Sequence, residues 1–115
     1  MNEGRITVGE IGLAYQTLGD PSDPPLLLVM GLGMQLIHWD LELCEELAER
    51  GHYVIRFDNR DAGLSTKIDA PVPPIVRAMA GFHIDSPYLL TDMANDSFGL
   101  LDGLGIEHAH VMGVS

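Results

Sequence analysis

The sequence predicts an α/β fold, with an antiparallel hairpin leading into a mostly parallel sheet and helices on both faces. Three observations carry this. Strand-like apolar runs at 26–30, 52–58 and 109–115 alternate with helix-like stretches at 39–50 and 91–104. Strands alternating with helices of that length mark parallel βαβ units, whose crossovers are right-handed in nearly all cases. The run Leu26-Leu27-Leu28-Val29-Met30, between Pro25 and Gly31, has no polar side at all. A run apolar on every side suits a strand buried on both faces.

Each element has its own local signal. Residues 5–18, RITVGEIGLAYQTL, alternate and are rich in Ile, Val, Thr and Tyr, with GEIG interrupting them. That pattern predicts two antiparallel strands joined by a turn. Residues 19–25, GDPSDPP, are dense in Gly, Asp and Pro and form a loop. In WDLELCEELAER, 39–50, Trp39, Leu43, Leu47 and Ala48 recur at helical spacing with Glu between them, and Gly51 is the helix stop. HYVIRFD, 52–58, is the next strand, and 59–74 read as loop. IVRAMAGF, 75–82, is expected to form a short helix. A longer one spans 91–104, with Thr91 as N-cap and Gly105 after its end. Leu90, Met93, Ala94, Ser97, Leu100, Leu101 and Leu104 line one side of it. AHVMGVS is a strand running into a turn, and there is no internal repeat or low-complexity tract.

Composition narrows the function classes. The 115 residues suffice for one small domain, and 46% of them are hydrophobic, enough for a core. Seventeen acidic residues against six basic ones give a net charge of -11. That excludes a nucleic-acid surface and an anionic membrane surface, both of which need clustered Lys and Arg. The longest strongly apolar run is Leu26 to Leu32, far too short for a bilayer span. The start, MNEGRITVGE, lacks a basic stretch followed by an apolar one, so no secretory leader is expected. Cys44 is the single cysteine; it cannot form an internal disulfide, and glutamates on either side disfavour a thiolate. A cytoplasmic protein with Cys44 as a packed helix residue is the expectation.

Three places carry residues suited to chemistry. VMGLGMQ, 29–35, is a buried strand ending in a glycine-flanked loop, and ligands of open α/β sheets bind beyond the carboxyl ends of strands. Gly31 and Gly33 permit close approach to a ligand, and backbone N–H groups here can face a developing negative charge. The loop lacks the third glycine of the dinucleotide pattern and the Lys-Ser/Thr of a P-loop, so no such cofactor is expected. In RFDNRDAGLS, 56–65, Arg60 stands between Asp58 and Asp61. A guanidinium–carboxylate pair that locks this loop suits it better than a metal, for which ligand count and spacing fall short. Gly113-Val114-Ser115 is the left half of the G-x-S-x-G turn that lifts a serine hydroxyl above a sheet. The five histidines, at 38, 52, 83, 108 and 110, show no metal spacing; His38, after the glycine loop, is a candidate pocket residue with Met34.

Taken in order, LLLVMGLGMQLIHW, YVIRFDNRDAGLS and YLLTDMANDSFGLLDGLGIEHAHVMGVS resemble the N-terminal half of an α/β-hydrolase, across nearly all of residues 1–115. FDNRDAGLS looks most like the aclacinomycin methylesterase-like esterase branch. Two positions depart from the pattern: Met30-Gly31 stands where His-Gly is usual, and Asp61 where Gly follows Arg. The resemblance implies Ser115 as nucleophile, the N–H of Leu32 as one oxyanion donor and the N–H after Ser115 as the other. It implies acyl transfer to water on a small-molecule ester, with no metal or cofactor. The acid and histidine of the triad follow the serine in this family. The expectation is therefore that a second polypeptide carrying the C-terminal half supplies them, that residues 1–115 alone are inactive, and that the last strand lacks its neighbour. Oligomeric state is left open. On the same fold, C–C bond hydrolysis, cofactor-free perhydrolysis and non-catalytic ligand binding are the alternatives.

Overall fold

The β-branched Ile6, Thr7, Val8, Ile11 and Thr17 favour the extended backbone of the first two strands, β1 (Asn2–Val8) and β2 (Ile11–Leu18). They pair antiparallel from Asn2↔Thr17 to Val8↔Ile11 around the two-residue turn Gly9-Glu10. The hairpin thus starts three residues before the predicted Arg5, because the ladder continues through Glu3 and Gly4. The computed structural model describes residues 1–30, 35–60, 63–66 and 90–113, with the backbone alone for Leu90 and Thr91. The expected short helix at 75–82 and the Thr91 cap lie outside the described residues and side chains.

Strands β3 (Pro25–Val29), β4 (Tyr53–Phe57) and β5 (His110–Gly113) complete a five-stranded sheet in the order β1-β2-β4-β3-β5. β4 pairs antiparallel with β2 and parallel with β3, and β3 pairs parallel with β5. The chain steps from β3 to β4 in one direction, then recrosses β3 to reach β5 on its far side. Two helices cover opposite faces. α1 (Leu41–Glu49) packs Cys44, Leu47 and Ala48 onto Leu18, Leu26, Leu28 and Val54. α2 (Leu90–Gly103) packs Leu100 and Leu101 onto Leu13, Leu27, Ile55 and Phe57. Leu26 and Leu28 serve one face and Leu27 the other, the period-2 reason for a run without a polar side.

The predicted helix 39–50 starts two residues later. Its N-cap is Asp40, whose carboxylate accepts the Glu42 N–H at 3.0 Å. Trp39 precedes it, buried behind a short 3₁₀ turn, Leu36–His38. With the start fixed at Leu41, the stripe facing the sheet is Cys44, Leu47 and Ala48. Leu43, expected on that stripe, is 43% exposed instead. Burial pushes the Cys44 thiol above its ordinary range, against the opposing influence of the nearby Arg56 guanidinium. Arg56 is itself buried in β4, donating to Gln16 Oε1 at 2.8 Å and to the Trp39 carbonyl at 2.8 Å. Those bonds tie the segment before α1 to the sheet.

Candidate active site

Reversal of strand order at β3 makes a topological switch point, the place where open α/β sheets bind ligands. The last described pair there is Val29↔Gly113, so the carboxyl ends of β3 and β5 lie side by side. Of the predicted site residues, Gly31, Leu32, Gly33, Met34 and Ser115 lie outside the described residues. What is described is a frame that flanks them in sequence: Met30 and Gln35 on either side of residues 31–34, and Gly113 two residues before the serine.

The frame is built from the end of β4. Asp58 is 3% exposed, and its two oxygens accept the Leu36 N–H at 2.7 Å and the Leu64 N–H at 2.9 Å. One carboxylate thereby holds both the loop after β3 and the loop after β4. Gly63 makes the second contact feasible: at φ +48 it passes so close to Asp58 that a Cβ would stand 2.3 Å from Oδ2. Asp58 is fixed in turn to the sheet, its N–H donating to the Ala14 carbonyl at 2.9 Å. Ser65 is buried beside it; its hydroxyl donates to the Asp58 carbonyl at 2.6 Å and accepts the Ala14 N–H at 2.9 Å. Next to Asp58, the buried Asn59 donates from Nδ2 to the Met30 carbonyl at 2.9 Å.

Arg60 has a partner far from it in sequence. It forms a two-pronged pair with Asp96 of α2, Nε to Oδ2 at 2.7 Å and Nη2 to Oδ1 at 2.8 Å, and not with Asp58. Asp58 faces backbone amides of the two loops, whereas Arg60, two residues on, faces the helix. Asp61 lies outside the described residues. The fork ties Arg60 to a helix residue 36 positions away in sequence. His38 is exposed, its Nδ1 2.8 Å from the Gln35 N–H, closing the 3₁₀ turn. It is not among the described residues that line the cavity below. Among the described residues no group of three or more His, Cys, Asp or Glu is placed to hold a metal ion.

Beside the frame, a groove of about 490 Å³ runs between α2 and the β3–β5 pair, lined chiefly by Val29, Met30, Asn59, Met93, Phe98 and Val111. Ala94, Ser97 and the buried Leu101, from the helix side predicted to pack, also face it, and Ala94 is exposed there. Phe98 and Val111 are 66% and 63% exposed. Asn59 and Asp96 are the residues that sequence reasoning missed. Nothing marks Asp96 on its helix, where it falls outside the apolar stripe; Asn59 had one signal, a polar amide directly beyond the end of a buried strand.

No protein-family model matches the chain. The rhodomycin D methylesterase DnrP of Streptomyces peucetius is 37% identical to it over 110 residues, 96% of this chain and 33% of that protein. A solved hydrolase from Pseudomonas aeruginosa PA01 matches with a TM-score of 0.76 and 30% identity, over 99% of this chain and 37% of its own. The enol-lactonase of Burkholderia xenovorans LB400 shares the fold, with a TM-score of 0.77 and 24% identity over 97% of this chain and 37% of its own. The chain spans about a third of the length of the curated relatives it matches.

Proposed function

The chain belongs to the α/β-hydrolase superfamily, of which it has the N-terminal half of the fold, and on that premise we propose that it carries the nucleophile and oxyanion loop of a serine carboxylic-ester hydrolase. The observation that carries the reading is the Val29↔Gly113 register. Leu32 follows Val29 by three residues and Ser115 follows Gly113 by two in sequence, and the pairing of those two strand ends supports a shared site at the switch point.

In the proposed reaction the Ser115 hydroxyl attacks the ester carbonyl carbon while a histidine takes its proton. The carbonyl oxygen becomes an oxyanion, held by the Leu32 N–H and by the N–H after Ser115. Collapse expels the alcohol, which takes the proton from the histidine, and leaves a serine ester. Water, deprotonated by the same histidine, hydrolyses that ester and regenerates the serine. Histidine and acid come from the C-terminal half, in the chain order serine, acid, histidine. The groove beside β5, with its uncovered apolar helix side, supports further structure packing there. Similarity to a methylesterase makes small-alcohol esters of carboxylic acids the first substrates to try.

A fluorophosphonate probe and a Ser115→Ala variant of the full-length hydrolase test this. The expected result is labelling at Ser115 and a fall in p-nitrophenyl acetate turnover by a factor on the order of 10⁴ or more in the variant. An unlabelled Ser115, or turnover that survives the substitution, overturns the proposal.

A further inference from the structure

We infer that Asp58 and Asn59 are positioning residues for the oxyanion loop, an inference that rests on the esterase reading above. Two consecutive side chains at the end of β4 hold the two flanks of one loop on the neighbouring strand. Asn59 Nδ2 binds the Met30 carbonyl at 2.9 Å, and Asp58 Oδ1 binds the Leu36 N–H at 2.7 Å. Between these two anchors lie residues 31–35, with Leu32 among them. Both anchoring side chains are 3% exposed, so solvent competes little for either bond.

The anchors are themselves immobilised. Asp58 is bonded to β2 through its own N–H and carbonyl, by way of Ala14 and Ser65, and its second oxygen is occupied by Leu64. The described residues on both flanks, Met30 and Leu36, are therefore referenced to the sheet. A peptide unit is planar, so a fixed Met30 carbonyl sets the orientation with which the chain enters the loop. An oxyanion donor works only if it is aimed before the charge develops, and misplacement of about 1 Å costs on the order of 10²-fold in rate. Asp58 and Asn59 touch no reacting atom; they act through the backbone they hold.

The test uses the full-length hydrolase with p-nitrophenyl acetate as substrate and phenylboronic acid as a probe of the tetrahedral state. Asn59→Leu keeps the size and removes the donor. It is expected to lower kcat by about 10- to 50-fold while KM changes less than about twofold, with boronate affinity falling in parallel. Leu32→Pro removes the N–H that the loop is proposed to present. In that background Asn59→Leu is expected to add less than about a twofold loss, since both act through one donor. An unchanged kcat, or an undiminished loss in the Leu32→Pro background, overturns the inference. If Asn59→Leu does not fold, Asn59→Ser is put through the same cycle with the same two criteria. Ser115→Ala separates the two readings. If it is inactive while Asn59→Leu is fully active, the positioning role alone fails; if it is active, the esterase reading fails and takes the positioning role with it.

Discussion

Replacing Gly63 with alanine puts a methyl group where Asp58 already stands. The new Cβ would lie 2.3 Å from Oδ2, 2.4 Å from Cγ and 2.6 Å from Oδ1 of a carboxylate 3% exposed and held by two amides. The backbone, at φ +48, also leaves the region natural to an L residue, which costs about 1–2 kcal/mol. Moving the carboxylate aside weakens charge-assisted bonds worth about 1.5–3 kcal/mol each. The sum is about 3 kcal/mol or more. Gly9 is the internal control: its φ is +62, and nothing lies within 4 Å of where its Cβ would be. Gly9→Ala is therefore expected to cost only the backbone share, about 1–2 kcal/mol. Urea unfolding of the two variants of the full-length protein, followed by tryptophan fluorescence, measures both. The excess for Gly63→Ala should be about 2 kcal/mol. Equal destabilisation of the two would refute the steric reasoning, since they share the backbone penalty and differ in the carboxylate.

Removing one partner of the Arg60–Asp96 fork leaves a mostly buried charge. Asp96→Ala is expected to destabilise by about 2–4 kcal/mol, the lower end because the Arg60 side chain is 15% exposed and keeps other interactions. The double variant Arg60→Met/Asp96→Leu is expected to lose less than the two single variants summed, which a double-mutant cycle in urea reads directly. The Cys44 thiol, raised by burial, stays protonated in the folded state at pH values where the unfolded chain ionises. Its share of stability is thus complete below an ordinary thiol pKa of about 8.5 and is lost as pH rises toward the folded value. A Cys44→Val variant should show a shallower fall in unfolding midpoint between about pH 8.5 and 10, and native Cys44 should resist a disulfide reagent that reacts once urea is added.

Strand runs, the hairpin turn and the helix at 91–104 were legible because each had its own period or punctuation. Helix α1 was legible as an element but not in its phase. The apolar spacing from Trp39 suggested one stripe, and the cap at Asp40 selected another, putting Leu43 outside and Cys44 inside. At the candidate site, the strands that lead into the two loops and toward Ser115 were legible from motif and order. Their mutual bracing was not. Asp58 reaches Leu36 across 22 residues and Arg60 reaches Asp96 across 36, and no local spacing encodes such pairs. Arg60 has two carboxylates within two residues of it in sequence, yet its two-pronged pair is with Asp96 on a helix; Asp58 is already taken up by the Leu36 and Leu64 amides. His38, a pocket candidate by position, uses its ring Nδ1 in the turn that carries it, a bond its position alone did not reveal.

The two edges of the sheet are unlike each other. β1 is exposed but dressed with Glu3 and Arg5, and Arg5 Nη1 is spent on the Leu64 carbonyl at 2.6 Å. β5 is exposed along all four residues and offers Val111 and Met112. New strands are therefore welcome on one side and discouraged on the other. This gives assembly a direction in time. As a polypeptide leaves the ribosome, β2 pairs with β1, β4 then pairs with both β2 and the waiting β3, and β5 docks last on β3 with an open, sticky flank. Until something of the same molecule covers that flank, a neighbouring nascent chain competes for it. Soluble yield should then depend on a race between elongation and encounter, improving as the concentration of half-made chains falls.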